Sequence, residues 1–192
     1  MGEIIVIDRP DSVSWEELSA VLKKAHEQNL QRGIKLPYPF LPPAQLQEKT
    51  ERRGARVLVA LCDGQVVGIG AVATIQKNVW CHRGDYAYSF LDAVLPAFSG
   101  KGVFRRIEAQ QEAIAREWGL QHMLFDTDER NRRMIRVTEK MGFRKVDYRV
   151  RPDHRSVILV KWLDGCPHTR LWCSIKYLHK KWKRKQDKRE AS

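Results

Sequence analysis

Two glycines flank a lysine in the segment Ser99-Gly100-Lys101-Gly102, directly before a stretch with helical periodicity that begins near Val103. The first amides of a helix have no partners within the helix, and the helix dipole places partial positive charge beside them. Glycines keep the backbone open to a ligand because they carry no side chain, while Lys101, Arg105 and Arg106 add positive charge. The turn therefore predicts a site for an anion such as a phosphate. Its spacing matches neither a Walker loop nor a Rossmann fingerprint.

The patterns around this turn predict the elements that must hold it in place. A capping box, Ser14-Trp15-Glu16-Glu17, starts the first helix, and Cys62-Asp63-Gly64 predicts a tight hairpin between two β-rich runs. Asn131 caps the fourth helix, which Gly142 ends. The predicted order is β-α-α-β-β-β-α-β-α-β-β, an α/β domain with a mixed, mostly antiparallel sheet flanked by helices. Predicted strands span residues 3–7, 56–61, 65–75, 86–95, 123–127, 143–150 and 156–163, and the predicted helices begin at Ser14, Ala44, Val103 and Asn131.

Two blocks of the sequence resemble a known family. Val94-Leu95-Pro96-Ala97-Phe98-Ser99-Gly100-Lys101-Gly102-Val103 resembles the acyl-CoA pyrophosphate loop of the GNAT acetyltransferase superfamily, usually V-x-P-x-Y-R-G-K-G-I-G. Asn131-Arg132-Arg133-Met134, followed by Glu139-Lys140-Met141-Gly142-Phe143, resembles the family's N-x-x-A/M … E-K-x-G-F ending. Both blocks occur in the family's order with a predicted strand between them. The resemblance covers about the first 163 residues, and it implies a GNAT-like sheet that is splayed between the fourth and fifth strands.

The resemblance also implies a co-substrate, acetyl-CoA or another acyl-CoA, whose pantetheine arm lies between those two strands. The amides near Ala93, Val94 and Leu95 are then expected to pair with the arm, and Asn131 to lie near its far end. The residues expected to hold the pyrophosphate are Ser99, Gly100, Lys101, Gly102, Val103, Phe104 and Arg105.

Three residues depart from the family's pattern. Ser99 stands where Arg or Gln is usual, and Phe104 stands where Gly or Ala usually ends the loop. Thr138 stands where many members have the Tyr that protonates the leaving thiolate. Arg105 and Arg106 are the residues expected to replace the charge that Ser99 lacks.

The activity that the resemblance implies is the direct attack of an amine on the acyl-CoA, which needs a general base and a general acid. Asp92 is the first candidate base, because burial in its apolar strand raises a carboxylate's pKa; an Asp that caps a bulge or pairs with an Arg is an equal alternative. The second candidate bases are Asp126, Asp128 and Glu129, and the third is Asp85. The acid is Tyr88, Tyr148, Thr138 or water, and the sequence does not choose among them.

Aromatic residues occur where an acceptor site is expected. Tyr86, Tyr88 and Phe90 alternate and so share one face of their strand, where they line an acceptor site or an acyl channel, or pack in the core. The proline-rich loop of residues 36–43 carries Tyr38 and Phe40, which line a pocket or cover the edge of the core.

The C-terminal segment is strongly basic. The net charge is +12, and half of it lies between Lys176 and Ser192, so we expect a domain over residues 1–165 and a basic tail over 166–192. Leu171, Ile175, Leu178 and Trp182 follow a helical period among the lysines. This tail, over residues 169–188, fits three roles: docking on the domain or on the second subunit of a homodimer, contact with an anionic membrane, or binding of RNA.

The composition also limits the class of protein. No run of about 18 apolar residues occurs and the N-terminus does not resemble a signal peptide, so we expect a cytoplasmic protein. The four cysteines form no C-x-x-C pair, so no metal is expected. We therefore predict an N-acyltransferase that uses an acyl-CoA and an amine. A catalytically impaired CoA-binding scaffold and an RNA- or membrane-associated relative are the alternatives.

Overall fold

The computed structural model describes residues 2–36, 38–79 and 82–163, together with Ile175, Leu178 and His179. Apart from those three residues, the predicted basic C-terminal helix lies outside the described part of the chain, as do Cys81, Cys166 and Cys173. The domain boundary at residue 165 and the roles of the tail therefore stay predictions. No helix among the described residues is long and apolar enough to cross a membrane.

A single seven-stranded sheet carries the fold, with strand order β1-β2-β3-β4-β5-β7-β6. All neighbouring strands are antiparallel except β4 and β5, which are parallel. The predicted fold class and the predicted order of elements are confirmed. The strands are β1 Ile4–Asp8, β2 Arg56–Cys62, β3 Gln65–Val79, β4 His82–Val94, β5 His122–Asp128, β6 Arg144–Val150 and β7 Arg155–Trp162. The helices are α1 Trp15–Gln31, α2 Pro43–Arg52, α3 Val103–Glu117 and α4 Arg132–Lys140, with a 3-10 turn at Pro96–Phe98.

The local signals read from the sequence form as expected. The Ser14 side chain accepts a hydrogen bond from the Glu17 amide and begins α1, and the Asn131 side chain does the same for the Met134 amide at the start of α4. Gly64 turns the β2–β3 hairpin with a φ of 77°. The hairpin between β3 and β4 is longer than predicted, because β3 continues past residue 75 and β4 begins before residue 86.

Helices cover both faces of the sheet. On one face, α1 and α2 bury Leu18, Leu22 and Leu46 against Tyr86 and other residues of β3 and β4. On the other face, a separate core contains α3 and the buried Ile135 of α4. The two faces of β4 therefore pack against different cores. Because successive side chains of a strand point to opposite faces, each side chain of β4 enters one core or the other according to its position.

The sheet opens between β4 and β5, as the resemblance implied. The two strands pair only at Ala87 with Met123 and at Tyr88 with Leu124. Just beyond this point β4 bulges: Leu91 adopts a φ of 59°, and the pairing with β3 shifts between Ile69 and Ala71. A bulge bends its strand, so β4 departs from β5 at this point.

Gly70 of β3 lies opposite the bulge and has no room for a side chain. A Cβ there would stand 2.4 Å from Ile107 Cγ2 and 2.8 Å from Asp92 Oδ1. The close approach of α3 to the sheet therefore depends on this glycine.

Candidate active site

The opening between β4 and β5 forms a long cleft on the protein. Its larger part has a volume of about 730 Å³ and extends from Asp92 to the turn before α3 and across to α4. A narrower inner part is lined by Tyr38, Tyr88, Phe90 and Asp126. The two parts share lining residues on both sides, namely His26, Asn29, Asp92, Asn131 and Met134. One continuous channel therefore joins the anion-binding turn to a group of aromatic and ionisable side chains.

The outer end of the cleft has the predicted anion-binding geometry. Gly102 caps α3 in the left-handed conformation, with a φ of 80° and no side-chain cap. The first backbone bond of the helix runs from the Arg106 amide to the Gly102 carbonyl. The amides of Val103, Phe104 and Arg105 thus precede the hydrogen-bond ladder and remain available to a ligand.

Arginines surround this end of the cleft. Arg133 of α4 donates a hydrogen bond of 2.6 Å to Ser99 Oγ, so it supplies positive charge at the position where Ser99 lacks it. Arg105 lines the cleft as predicted. Arg106 does not, because its guanidinium donates to the carbonyl of Ile4. Arg133 was missed at the sequence level although it lies inside the second family-like block.

The other residues predicted for the pyrophosphate site divide into two groups. Ser99, Gly100, Gly102, Val103, Phe104 and Arg105 all line the cleft. Lys101 is not among its lining residues, and its ammonium lies 4.9 Å from the centre of the Phe98 ring. Phe104 is half-buried, and its ring centre lies 6.4 Å from that of Phe125.

The three predicted backbone donors of β4 are not equivalent. The Leu95 amide donates to the carbonyl of Val67 in β3, at 2.9 Å. Because backbone groups alternate along a strand, Ala93 also turns its amide to β3 and Val94 turns its amide away from β3, into the cleft. Val94 is therefore the donor that the geometry favours, and Leu95 is corrected to a sheet residue.

Asp92, the first candidate base, has its carboxylate on the α3 side of the sheet. Its Oδ2 lies 2.6 Å from Ser89 Oγ, and its Oδ1 accepts a hydrogen bond from Gln111 Nε2 at 2.8 Å. Burial raises the pKa of Asp92 to about 7, although these two hydrogen bonds oppose the rise. The predicted elevation is present, but the carboxylate follows the bulge and bonds to α3, which is the bulge-capping alternative.

The hydrogens in this group can be counted. Ser89 Oγ lies within hydrogen-bond distance of both Asp92 Oδ2 and Gln111 Oε1, but a hydroxyl has only one proton to donate. Gln111 Nε2 also donates to the carbonyl of Ala71, which fixes the orientation of its amide. If Asp92 carries a proton, it donates to Ser89, Ser89 donates to Gln111, and every contact is satisfied. The neutral acid therefore fits this network best.

Tyr88 and Asp126 meet in the inner part of the cleft. The Tyr88 hydroxyl donates a hydrogen bond of 2.7 Å to Asp126 Oδ1, and both residues line the cavity. Burial, and then Asp126, raises the pKa of Tyr88 well above its usual value, so the phenol keeps its proton. Among the described residues Asp126 has no other hydrogen-bond partner. Its Oδ2 therefore accepts no hydrogen bond from a described side chain.

A cation also lies near Asp126. Lys77 is half-buried, and burial and the charge of Arg149 lower its pKa, whereas Asp126 and Asp147 act in the opposite direction. The charges of Lys77 and Asp126 therefore attract each other at the inner end of the cleft.

The remaining candidate bases are placed elsewhere. The Asp128 carboxylate is fully buried; burial raises its pKa, but the hydrogen bonds from Arg130 and from the amide of Lys35 outweigh this and lower it to about 2. Glu129 pairs with Arg155 at 2.8 Å. Asp85 is exposed and does not line either part of the cleft. These three are therefore corrected to residues outside the channel.

Two candidate acids also lie outside the channel. The Thr138 hydroxyl donates within its own helix, to the carbonyls of Met134 and Ile135, and the residue is 1% exposed. Tyr148 packs against the α3 side of the sheet, and the guanidinium of Arg155 covers its ring. Neither lines the cleft, so Tyr88 and water are the acids that remain.

Asn131 and His26 line the junction of the two parts of the cleft. Asn131 is buried, caps α4 and donates to Thr127 Oγ1 at 3.2 Å, so its position in the cleft agrees with the prediction. His26 of α1 is 9% exposed, and its Nδ1 has no hydrogen-bond partner among the residues that the structure describes. Burial lowers the pKa of His26 to about 4, so its imidazole is neutral at physiological pH. Nothing in the sequence around His26 indicated a role in the site.

No cluster of His, Cys, Asp and Glu that would hold a metal ion occurs in the described part of the chain. Three of the four cysteines, Cys81, Cys166 and Cys173, lie outside that part, so the absence of a metal stays a prediction.

Comparison with known proteins identifies a family model that matches this sequence and solved structures that share its fold. The family model described as "Acetyltransferase (GNAT) family" matches residues 15–143. A search of curated protein sequences found no match. Among solved structures, an acetyltransferase of the GNAT family from Streptococcus pneumoniae superposes with a TM-score of 0.64 at 13% identity, covering 83% of this chain and 99% of that one.

Two further solved structures are similar over almost the whole domain. The ribosomal-protein-alanine N-acetyltransferase of Brucella melitensis gives a TM-score of 0.64 at 18% identity, over 82% of this chain and 99% of that one. The yncA protein of Salmonella typhimurium, solved with its cofactor acetyl-CoA, gives a TM-score of 0.63 at 16% identity, over 85% and 96% of the two chains. These likenesses show a shared fold, and the family model spans most of the described domain. The chain therefore belongs to the acetyltransferase (GNAT) family.

Proposed function

We propose that this protein is an N-acyltransferase that moves an acyl group from an acyl-CoA, with acetyl-CoA the first donor to test, to a primary amine. The observation that carries the proposal is the continuous cleft between β4 and β5. Its outer end holds the free amides of α3 and the arginines that suit phosphates, and its inner end holds Tyr88 and Asp126. When a thioester binds along this cleft with its phosphates at the outer end, its carbonyl carbon lies near Tyr88 and Asp126.

The chemistry follows from the groups at the inner end. Asp126 takes a proton from the ammonium form of the acceptor, which frees the nitrogen lone pair. The nitrogen attacks the thioester carbon, and the Val94 amide stabilises the oxyanion that forms. The carbon–sulfur bond then breaks, and the second proton of the nitrogen reaches the sulfur through Tyr88 or water. The products are an amide and a free thiol, and one proton is released to solvent.

The donor site is tested by thermal shift with CoA thioesters of increasing acyl length. We expect acetyl-CoA to raise the melting temperature, and we expect Arg133→Gln to weaken its binding about tenfold, which is the loss of roughly 1.4 kcal/mol. Arg136→Gln is the matched control, because Arg136 is an exposed arginine of the same helix that does not line the cleft. The absence of any shift with acyl-CoA thioesters contradicts the proposal.

Acyl transfer is tested by the release of free thiol in the presence of a panel of primary amines. We expect release that depends on both the protein and the amine. If acetyl-CoA binds with micromolar or better affinity and no amine releases thiol, the CoA-binding scaffold replaces the enzyme as the better account.

A further inference from the structure

An arginine at the end of α2 lies above the inner part of the cleft. Arg53 is the C-cap of α2 and is half-buried. The central carbon of its guanidinium stands 5.2 Å from the centre of the Phe90 ring and 5.7 Å from that of Tyr88. Both rings line the inner cavity. The guanidinium therefore covers the same aromatic wall that carries the Tyr88–Asp126 pair.

The charge of Arg53 is not neutralised within the described part of the chain. Within that part, its guanidinium donates one hydrogen bond, a long one from Nη2 to the Tyr38 hydroxyl at 3.4 Å, and it forms no ion pair with a described carboxylate. Stacking on aromatic rings holds a guanidinium in place but leaves its N–H groups able to bind an anion. Arg53 thus has a fixed position and unused donors.

The surface beside Arg53 is also basic. A basin of about 610 Å³ adjoins it and is lined by Leu41, Gln45, Glu48, Lys49, Arg52 and Arg53. Glu48 is the one acidic residue in this lining. In the described part of the chain it forms no ion pair with the three basic residues of the lining, Lys49, Arg52 and Arg53. Lys49 lies over the ring of Tyr38, at 4.5 Å from the ring centre. An anion that enters from this side meets net positive charge.

Opposite charges therefore meet at Tyr88: its hydroxyl is bonded to the carboxylate of Asp126, and its ring lies beneath the guanidinium of Arg53. A molecule with both an ammonium and a carboxylate complements this pair, with the ammonium toward Asp126 and the carboxylate toward Arg53. We propose that the acceptor is a free amino acid whose carboxylate is bound by Arg53. This inference rests on the proposed function, because it assigns the acceptor of the same reaction.

The experiment compares amino acids with partners that lack only the negative charge. Acetyl-CoA binding is first measured alone, by calorimetry. Thiol release is then measured for each amino acid, for its carboxamide and for the corresponding decarboxylated amine. We expect kcat/KM for the best amino acid to exceed that for its amide by about 10- to 100-fold, the range for a charge-assisted hydrogen bond.

Variants of Arg53 identify the residue responsible. Arg53→Gln should bring the ratio of kcat/KM between amino acid and amide close to one, and Arg53→Lys should keep part of the preference for the amino acid. Arg52→Gln is the matched control, because it removes the same charge one residue away without contact to Tyr38, Tyr88 or Phe90. The far-ultraviolet circular dichroism and melting temperature of each variant establish that it is folded.

The possible results separate the two proposals. If acetyl-CoA does not bind, the proposed function fails. If acetyl-CoA binds and amines are acylated, but amides react as well as amino acids, only the acceptor class is wrong. The acceptor class is also overturned if Arg53→Gln keeps the full preference for the carboxylate, or if acetyl-CoA binds and no amino acid releases thiol.

Discussion

Two aspartates approach the cleft from different layers of the molecule, and their surroundings give them different chemistry. Within the described part of the chain, the Asp126 carboxylate accepts one hydrogen bond, from Tyr88, and it borders the inner cavity. Asp92 has both oxygens bonded, to Ser89 and Gln111 on the α3 side. A general base needs a free oxygen that the substrate can reach, so an elevated pKa alone does not make Asp92 the base.

This difference gives a direct test of catalysis. Asp126→Asn removes the proton acceptor and should lower kcat by at least about 100-fold, the smaller end of the usual contribution of a general base. Asp92→Asn should keep most of the activity, because an amide can replace a neutral acid in the Ser89–Gln111 network. Steady-state thiol release measures both variants, and acetyl-CoA affinity, which should be unchanged in each, is the control. A large loss of kcat in Asp92→Asn alone would reverse the assignment.

His26 shows the effect of burial on a single titrating group. Burial lowers its pKa to about 4, whereas in the unfolded chain a histidine titrates near 6.5. Between these values the unfolded chain binds more protons than the folded one, so the contribution of His26 to stability is full above pH 6.5 and is lost as the pH falls toward 4.

We therefore expect His26→Gln to reduce the loss of stability on acidification. The wild-type free energy of unfolding should fall more steeply than that of the variant between pH 6.5 and 4, with a total difference on the order of 3 kcal/mol. Urea denaturation at a series of pH values measures both curves. Proton NMR of the His26 ring provides a second measurement, and a midpoint near 6.5 in the folded protein would contradict the assignment.

At the scale of elements, the bulge of β4 determines the site. It turns the strand away from β5, directs the Val94 amide into the cleft and places Asp92 against α3. Gly70 permits this arrangement, because its missing side chain leaves space for Ile107 and for the Asp92 carboxylate. The three-residue network of Ser89, Asp92 and Gln111 then ties the bulge to the middle of α3.

The stability of this network should depend on pH in a defined direction. In the folded protein the pKa of Asp92 is about 7, and in the unfolded chain it is about 3.9. The folded state therefore binds the extra proton between these values, so the contribution is full below pH 4 and is lost as the pH rises to 7.

Asp92→Asn should remove this dependence, since the amide donates to Ser89 and accepts from Gln111 at every pH. As the pH rises from 4 to 7, the free energy of unfolding of the variant should increase relative to that of wild type by an amount on the order of 4 kcal/mol. Above pH 7 this difference should stay constant. Chemical denaturation of both proteins at matched pH measures it, and effects of His26 cancel because both proteins contain it. Asp92→Ala, which cannot bridge Ser89 and Gln111, should not reproduce the gain.

The elements themselves were largely predictable, because each has a local signal. Ser14 and Asn131 cap their helices, Asp63-Gly64 turns a hairpin, and Gly102 comes directly before the unpaired first amides of α3. Each of these signals depends on residues that are close together in the chain. The bulge was not predictable, because it depends on the fit of Leu91 and Asp92 against Gly70 in another strand. For the same reason the sequence ranks Asp92, whose carboxylate bonds to Ser89 and to Gln111 of α3, ahead of Asp126, which borders the inner cavity.

Side chains that reach the site from distant parts of the chain were missed. Arg133 and His26 lie on different helices, and only the packing of α1 and α4 brings them to one cleft, while Arg53 reaches the Tyr88 and Phe90 rings from the end of α2. The opposite error concerns Thr138, whose position in a family pattern suggested a role, although its hydroxyl bonds within its own helix. A pattern of residue types gives the order of the elements but not the direction of each side chain.

At the scale of the whole molecule, the cleft separates the ends of two neighbouring strands, although both hydrophobic cores continue across the sheet. Beyond the two residue pairs at Ala87 and Tyr88, β4 and β5 separate, and a ligand in the cleft contacts the β1–β4 part together with α3 on one side and β5 with α4 on the other. A ligand that binds only the folded state stabilises it by mass action. We therefore expect bound acetyl-CoA to stabilise both halves of the domain together.

The contribution of the phosphates to this binding can be separated by salt. Four solvent-exposed arginines line the outer end of the cleft, namely Arg105, Arg130, Arg132 and Arg133. Salt screens the interactions of exposed charges, and the Debye length falls from about 10 Å at 0.1 M salt to about 3 Å at 1 M. Acetyl-CoA affinity should therefore fall by about tenfold or more between 0.05 and 0.5 M NaCl, which corresponds to roughly 1.4 kcal/mol.

Acetyl-pantetheine, which has the same thioester and arm but no phosphates, is the matched ligand for this measurement. It should bind more weakly than acetyl-CoA at low salt, and its affinity should change little with NaCl because it makes no ionic contact with the arginines. Isothermal calorimetry of both ligands over the salt series gives the comparison, and Arg133→Gln should reduce the salt dependence for acetyl-CoA only. Equal salt dependence for the two ligands would mean that the turn and its arginines do not hold the phosphates, although the inner cleft could still bind the thioester arm.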